Sequence, residues 1–280
     1  MSAFEVVHAG LDFGEGPRWH DGALWFSDFF RHGVFTLVDG VETRVATLED
    51  QPSGLGWMPD GSLLVVSMTD RRLLRMGVDG ELREHADLGG VATWHCNDMV
   101  VAADGTAYVG NFGFDLDSGA APVGAVLARV TPDGEVTAAA DDLLFPNGSV
   151  ITPDGSTLIV GETFGGRYTA FTIGDDGSLS DRRVWAEIPG MAPDGCCLDT
   201  GGGIWFADPV NSRATRVVEG GEITHTLDCG DRAFACALGD DDRRTLFVLV
   251  AEGSGPDDAA GRASGRILAS RVELPGAGLP

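Results

Sequence analysis

The sequence predicts an all-β chain: a six-bladed β-propeller of four-stranded antiparallel blades, closed by the N-terminal strand joining the last blade. Three observations lead there. An Asp-Gly-like turn recurs six times, and each turn is followed by a short apolar strand. Successive turns lie about 40 to 50 residues apart, the period at which a four-stranded sheet repeats as one blade. The 41 glycines, with little helical periodicity around them, favour short strands joined by tight turns.

Taken in order, the turns are Asp21-Gly22 before Leu24 to Ser27, Asp60-Gly61 before Leu63 to Val66, and Asp104-Gly105 before Ala107 to Gly110. They continue with Asp154-Gly155 before Leu158 to Gly161, Gly201-Gly202 before Ile204 to Ala207, and the Asp240 to Asp242 run before Leu246 to Leu249. The strand before each turn is read as the innermost of its blade and the strand after it as the second. A second hairpin then follows: Val34 to Leu37 and Glu42 to Thr47 in blade one, Leu73 to Gly77 and Leu82 to His85 in blade two, Ala125 to Thr131 and Val136 to Ala140 in blade three. Blade four has Tyr168 to Ile173 with an outer strand near Arg183 to Ala186, and blade five has Ala214 to Glu219 and Ile223 to Leu227. Blade six supplies Ala233 to Leu238, Leu246 to Ala251 and Arg266 to Val272 but no outer strand, so the apolar run Phe4 to His8 is expected to complete it. Pairing both ends in one sheet removes exposed edges. Because the repeat runs nearly end to end, residues 1–280 are read as one domain.

A formal net charge of −24 argues against nucleic acid and against anionic membrane surfaces, since both need clustered Lys and Arg. No basic leader and no run long enough to span a bilayer is visible, and five cysteines without a disulfide-framework spacing suit a reducing compartment; the expectation is cytoplasmic. Adjacent Cys196 and Cys197 should point to opposite faces of an extended strand. Cys96 has no evident His and acid partner and reads as small apolar filler. No Gly-rich phosphate loop opens a helix, and no Ser-His-Asp arrangement stands out. Oligomeric state leaves no signal.

Counting back six or seven residues from each turn reaches Glu15, Ser53, Asn97, Asn147, Asp194 and Ala235, which the repeat places at one level around the channel mouth. Five of the six carry side-chain oxygen. A core strand has no packing reason for such residues, because unpaired buried polar groups cost several kcal/mol. A cation would resolve that cost, and carboxylate and amide oxygens suit a hard divalent ion: Ca²⁺, Mg²⁺ or Mn²⁺ before Zn²⁺.

The surroundings of these residues are Gly14-Glu15-Gly16-Pro17-Arg18-Trp19, Asn97-Asp98, Pro146-Asn147-Gly148 with Pro153-Asp154-Gly155, and Pro193-Asp194-Gly195. In these motifs, and along nearly the whole chain, the sequence resembles the SMP-30/gluconolactonase/luciferin-regenerating-enzyme family, six-bladed propellers with one catalytic divalent metal. The resemblance implies metal ligation by Glu15, Asn147 and Asp194, with Ca²⁺ the leading expectation, and contact of Asn97 with substrate or a metal-held water. It also implies hydrolysis of a small-molecule lactone. The metal would polarise the carbonyl and acidify a water, Asp194 would accept the proton, and Asn97 would donate to the developing oxyanion.

One departure stands out. Sugar-lactone members often carry Arg two residues before the substrate Asn, and here that position is His95. With Trp94, Phe112, Phe114 and Phe164 nearby, His95 is expected to help line a pocket for a less polar lactone. Specificity should reside in the loops after each second strand. The longest are Asn111 to Gly124, expected as a lid with Phe112 or Phe114 over the substrate, and Glu252 to Gly265, expected as surface rather than site. Two other readings stay open: a phosphotriesterase-type hydrolase on the same metal site, and a non-catalytic ion-binding propeller.

Overall fold

In the computed structural model, which describes residues 4–278, the strands form six four-stranded antiparallel sheets. The N-terminal strand is β1 (Glu5–Leu11). Blade one is β2 (Gly14–His20), β3 (Ala23–Asp28), β4 (Gly33–Val38) and β5 (Val41–Thr47); blade two is β6 (Pro52–Trp57), β7 (Leu63–Ser67), β8 (Arg72–Met76) and β9 (Leu82–Asp87). Blade three is β10 (Cys96–Val101), β11 (Ala107–Asn111), β12 (Ala125–Val130) and β13 (Val136–Leu143); blade four is β14 (Pro146–Ile151), β15 (Thr157–Glu162), β16 (Arg167–Ile173) and β17 (Leu179–Glu187). Blade five is β18 (Cys196–Leu198), β19 (Ile204–Asp208), β20 (Arg213–Val217) and β21 (Ile223–Asp228). Blade six orders β22 (Arg232–Gly239), β23 (Thr245–Ala251) and β24 (Gly265–Arg271) with β1 on the outside, so the N-terminal strand closes the ring.

The turns show why the motif recurs. In Met58-Pro59-Asp60-Gly61 the amide of Gly61 donates to the Met58 carbonyl at 2.9 Å, Asp60 Oδ1 accepts from the Ser62 amide at 3.0 Å, and Gly61 has φ 83°. Thr152-Pro153-Asp154-Gly155 repeats the arrangement, with Gly155 at φ 72°. Pro presets the first turn position, Asp braces the turn, and Gly takes the left-handed step that lets the hairpin close.

The innermost strands meet their neighbours in the cyclic order β2, β6, β10, β14, β18, β22 and back to β2. Apolar side chains from facing blades fill all six gaps: Leu55, Val65 and Val34 between blades one and two, for example, and Tyr168, Phe206 and Val217 between four and five. The other four gaps are packed in the same way. Cys196 enters the cluster between blades four and five and Cys197 the one between five and six, the opposite faces expected of an extended strand. All five cysteines are free and buried. Burial pushes the Cys96 thiol up to about 12, which fits an inert filler.

The outer strand of blade four begins at Leu179, earlier than expected, because a tight turn through Gly177 (φ 75°) pairs Ile173 with Leu179 at once. Its residues Ser180 to Val184 are all exposed, so no alternation marked the extra length.

Candidate active site

Five of the six innermost strands break their ladder near the start, and in blade five β18 pairs regularly with β19 from Cys196 on. Pairing is irregular between Glu15 and Arg18, Pro52 and Leu55, Cys96 and Met99, Pro146 and Ser149, and Ala233 and Ala235. A bulge at this point re-aims side chains that would otherwise sit in the sheet. Here it turns Glu15, Ser53, Asn97 and Asn147 into one cavity of about 690 Å³ at the channel mouth, where Asp194 joins them from the segment just ahead of β18, its amide donating to the Ala207 carbonyl at 3.0 Å. The inner strands crowd closely around it: a Cβ on Gly54 would lie 2.6 Å from the Met99 amide nitrogen, and one on Gly195 would lie 2.6 Å from Ala235 Cβ. Only glycine allows such close approach.

In blade six the structure shifts the expected position by one residue. Phe234, which follows the paired Ala233 and sits inside the bulge, faces the cavity, and Ala235 does not. The bulge set the register, and a count from the turn could not see it.

The ring residues are buried: Glu15 is 7% exposed, Asn97 4%, Asn147 7% and Asp194 9%. Desolvation, then repulsion from Asp194, raises the Glu15 carboxyl well above the usual range, against one opposing hydrogen bond from the Gly16 amide at 2.9 Å. Desolvation raises Asp194 to about 8, despite a 2.5 Å bond donated by Asn147 Nδ2 to its Oδ1. Asn147 Nδ2 also reaches Thr163 Oγ1 at 3.1 Å, so its Oδ1 is the atom those bonds leave over. Asn97 is the most exceptional: neither Nδ2 nor Oδ1 has any hydrogen-bond partner. Buried amides left unpaired are rare and costly.

This donor set fits a hard divalent cation. Two carboxylates that repel one another, an available amide oxygen and an orphaned amide all gain from a positive charge among them. Among the described residues no three His, Cys, Asp or Glu side chains form a metal-binding group, as expected where amides complete the set.

Beneath the ring, Arg18 locks three blades together. Its Nη2 pairs with Asp98 Oδ1 at 2.6 Å and donates to the Met99 carbonyl at 2.8 Å, while Nε donates to the Leu55 carbonyl at 3.1 Å. Asp98, the neighbour of Asn97 in the bulge, is committed to this buried ion pair.

All six loops after the second strands reach the cavity, through Phe30, Met68, Phe112, Phe164, Val210 and Ser254 among others. The sixth-blade loop therefore contributes to the site, through Ser254, Gly255 and Pro256, contrary to the surface role expected of it. Its Pro and small residues carried no sequence signal of that role.

A sequence model described as the SMP-30/Gluconolactonase/LRE-like region matches residues 13–252. The chain belongs to this family. Within curated relatives, the pentonolactonase XacC of Haloferax volcanii is 26% identical over 298 residues, covering 100% of this chain and 97% of the relative. The 6-deoxy-6-sulfogluconolactonase of Pseudomonas putida is 25% identical over 287 residues, covering 98% and 96%. The SMP-30/gluconolactonase fold is matched in solved structures by the calcium-binding protein regucalcin of Agrobacterium tumefaciens, with TM-score 0.83, 22% identity, and 99% and 96% coverage. A gluconolactonase of Xanthomonas campestris matches at TM-score 0.75, 24% identity, and 98% and 89% coverage.

In this family member, Glu15, Asn97, Asn147, Asp194, His95, Phe112 and Phe164 all line the cavity. Trp94 does not; its ring stacks on His95 at 5.1 Å, behind the wall. Phe114 likewise packs edge-on to Phe164 at 5.3 Å, so Phe112 is the aromatic of that loop that faces the cavity. His95 is half-buried, and desolvation lowers its pKa. A second ring, two residues upstream of the first, was missed: Phe13, Gln51, His95, Phe145, Ala192 and Arg232. Only His95 of this ring had drawn notice. The same count from the turns, taken two residues further back, would have reached it in five blades.

Proposed function

We propose that this protein is a divalent-metal-dependent lactonase, with Ca²⁺ as the first candidate ion and Mn²⁺, Mg²⁺ and Zn²⁺ as alternatives. The observation that carries the proposal is the unpartnered Asn97 amide, buried beside two carboxylates that lack a cation. The lactonase names of both relatives support the reaction class, and the calcium-binding description of regucalcin supports the ion.

Glu15 Oε, Asn147 Oδ1 and Asp194 would hold the ion. When bound, it supplies Lewis acidity toward the lactone carbonyl and lowers the pKa of a nearby water. Asp194, which the positive charge of a bound ion would hold in its ionised form, takes the proton from the attacking water. The water oxygen bonds to the carbonyl carbon, and Asn97 Nδ2 donates to the oxyanion that develops, an interaction typically worth about 3 kcal/mol. The acyl–oxygen bond of the ring then breaks, and Asp194 returns its proton to the leaving alkoxide. The product is a hydroxy acid, which ionises and releases one proton to solvent. The open cavity above the ring favours this reading over a non-catalytic ion-binding propeller. With all five cysteines free, we place the protein in the cytoplasm, which cell fractionation checks.

The direct test is acid release by metal-stripped protein on γ-, δ-, aromatic and sugar lactones, with and without each ion. Metal-dependent acid production above the spontaneous rate supports the proposal. A protein that binds metal yet opens no lactone would overturn it.

A further inference from the structure

Six of the seven apolar clusters glue neighbouring blades. The seventh fills no single gap: Phe13, Phe29, Met68, Phe234, Ala251 and Ala259, joined by Phe30 and Phe112, come from several blades and gather at the channel mouth. Phe13, Phe29, Met68 and Phe234 also line the cavity, so this cluster presents one open face to whatever binds there. From Phe112 the aromatic wall continues: Phe112 stacks on Phe145 at 4.4 Å, and Phe145 packs on Phe164 at 5.4 Å. Phe164 is 46% exposed, Val210 69% and Leu116 39%, and all three line the same cavity. Large apolar side chains left open around one concavity are the usual mark of a ligand with apolar surface.

Part of the polar lining at the walls is committed elsewhere. The Thr69 hydroxyl bonds Asp50 Oδ1, and the Thr163 hydroxyl donates to the Pro193 carbonyl at 2.8 Å while accepting from Asn147. His95 lies between Trp94 and the edge of Phe112, with its pKa lowered by desolvation. Arg232 lies over the Phe234 ring, 5.1 Å from its centroid, and so extends the aromatic wall. A polyhydroxylated ring would lose water from each hydroxyl against phenylalanine faces that return no hydrogen bond.

We infer that the cavity selects a lactone bearing an alkyl or aryl substituent over a sugar lactone. The inference rests on the lactonase reading, and it names the substrate class for that same site. The ring carbonyl sits at the polar floor, and the substituent lies along the phenylalanine walls.

The experiment measures kcat/KM, with metal supplied, for γ-butyrolactone, γ-hexalactone, γ-octalactone, γ-decalactone, dihydrocoumarin and glucono-δ-lactone. Each buried methylene should raise kcat/KM about threefold to fourfold until the wall is covered. Glucono-δ-lactone should be a poorer substrate than dihydrocoumarin, the other δ-lactone of the set. In Phe164→Ser, where an exposed ring is replaced, the ratio of γ-decalactone to γ-butyrolactone should fall about fivefold or more. A flat response to chain length with preference for glucono-δ-lactone would overturn the inference and leave the lactonase reading standing. Hydrolysis of no lactone by metal-loaded protein would overturn both. A steep response that Phe164→Ser leaves untouched would overturn the assignment of the wall.

Discussion

Two kinds of buried carboxylate lie within this propeller, and they are held in opposite ways. Glu162 is fully buried, yet its acidity is strengthened, because Arg167 Nε and Nη2, the Leu144 amide and the Thr169 hydroxyl together outweigh its desolvation. Asp98 is just as enclosed and is matched by Arg18. Glu15 and Asp194 leave slightly more surface exposed, 7% and 9%, but among the described residues no cationic side chain forms an ion pair with either, and both are raised. Burial alone therefore does not mark a functional acid. What distinguishes the channel mouth is burial without a countercharge, which the fold tolerates only where something else is meant to supply the charge.

The sharpest way to break this distinction is to remove a carboxylate from each class. Asp194→Asn should lower kcat by about 10² to 10⁴, the usual worth of a general base, and weaken metal binding with it; Glu15→Gln should also lower both. Steady-state kinetics beside metal analysis check this. Full activity at unchanged metal content in Asp194→Asn would remove Asp194 from the role of base. The matching experiment on the structural class is Arg18→Met, which leaves Asp98 buried and unpaired and frees the Leu55 and Met99 carbonyls. It should destabilise the protein by about 3–5 kcal/mol in denaturant melts. A loss below about 1 kcal/mol would show that Arg18 is not the lock described above.

Asn97→Ala separates chemistry from metal binding. Turnover should fall about 100-fold with metal affinity retained, as for loss of one oxyanion donor. Loss of metal together with turnover would make Asn97 a ligand.

A smaller effect lies in the pH dependence of the metal-free protein. Asp194 has a folded pKa of about 8, above the usual unfolded value, so the native state keeps a proton that the unfolded chain releases. Stability from this group is therefore fully present below about pH 4 and is lost as pH rises toward 8. Asp194→Asn removes that loss, so its Tm relative to the parent should climb between pH 4 and 8. Saturating metal at about 100 times its Kd should add about 2.7 kcal/mol to the parent, and much less to the variant. A Tm difference independent of pH would mean that Asp194 is not held without a countercharge.

The blades and most of the ring were legible because both are repeated. Turn chemistry at Asp60-Gly61 or Asp154-Gly155 is local, and the period did the rest, even to closure by β1, although that strand runs to Leu11 and not only to His8. Glu15, Asn97, Asn147 and Asp194 stood out as polar residues on strands that have no use for them. What the sequence hid was whatever depends on a partner distant in the chain. Nothing around Asp98 announces Arg18, which lies 80 residues away. Phe234 reads as core until the bulge after Ala233 is seen to turn it outward.

The smallest expected effect concerns His95, where the sequence departs from the Arg often found in sugar-lactone members of the family. Its register is shared around the ring by Arg232 in blade six, so the cationic side chain at this level sits three blades away, over Phe234. Because desolvation holds the His95 pKa below its ordinary value, the imidazole is neutral at pH 7, packed between Trp94 and Phe112. A neutral ring at the wall can orient a substrate by one hydrogen bond, worth about 1 kcal/mol, or roughly fivefold in relative kcat/KM. His95→Ala should therefore change the ratio between two lactones by about that factor and leave metal affinity alone. His95→Arg should move preference toward glucono-δ-lactone, because it places a fork of donors where the aromatic wall now offers few. Substrate ratios that stay fixed in both variants would make His95 a packing residue, and would leave discrimination to the phenylalanines on either side of it.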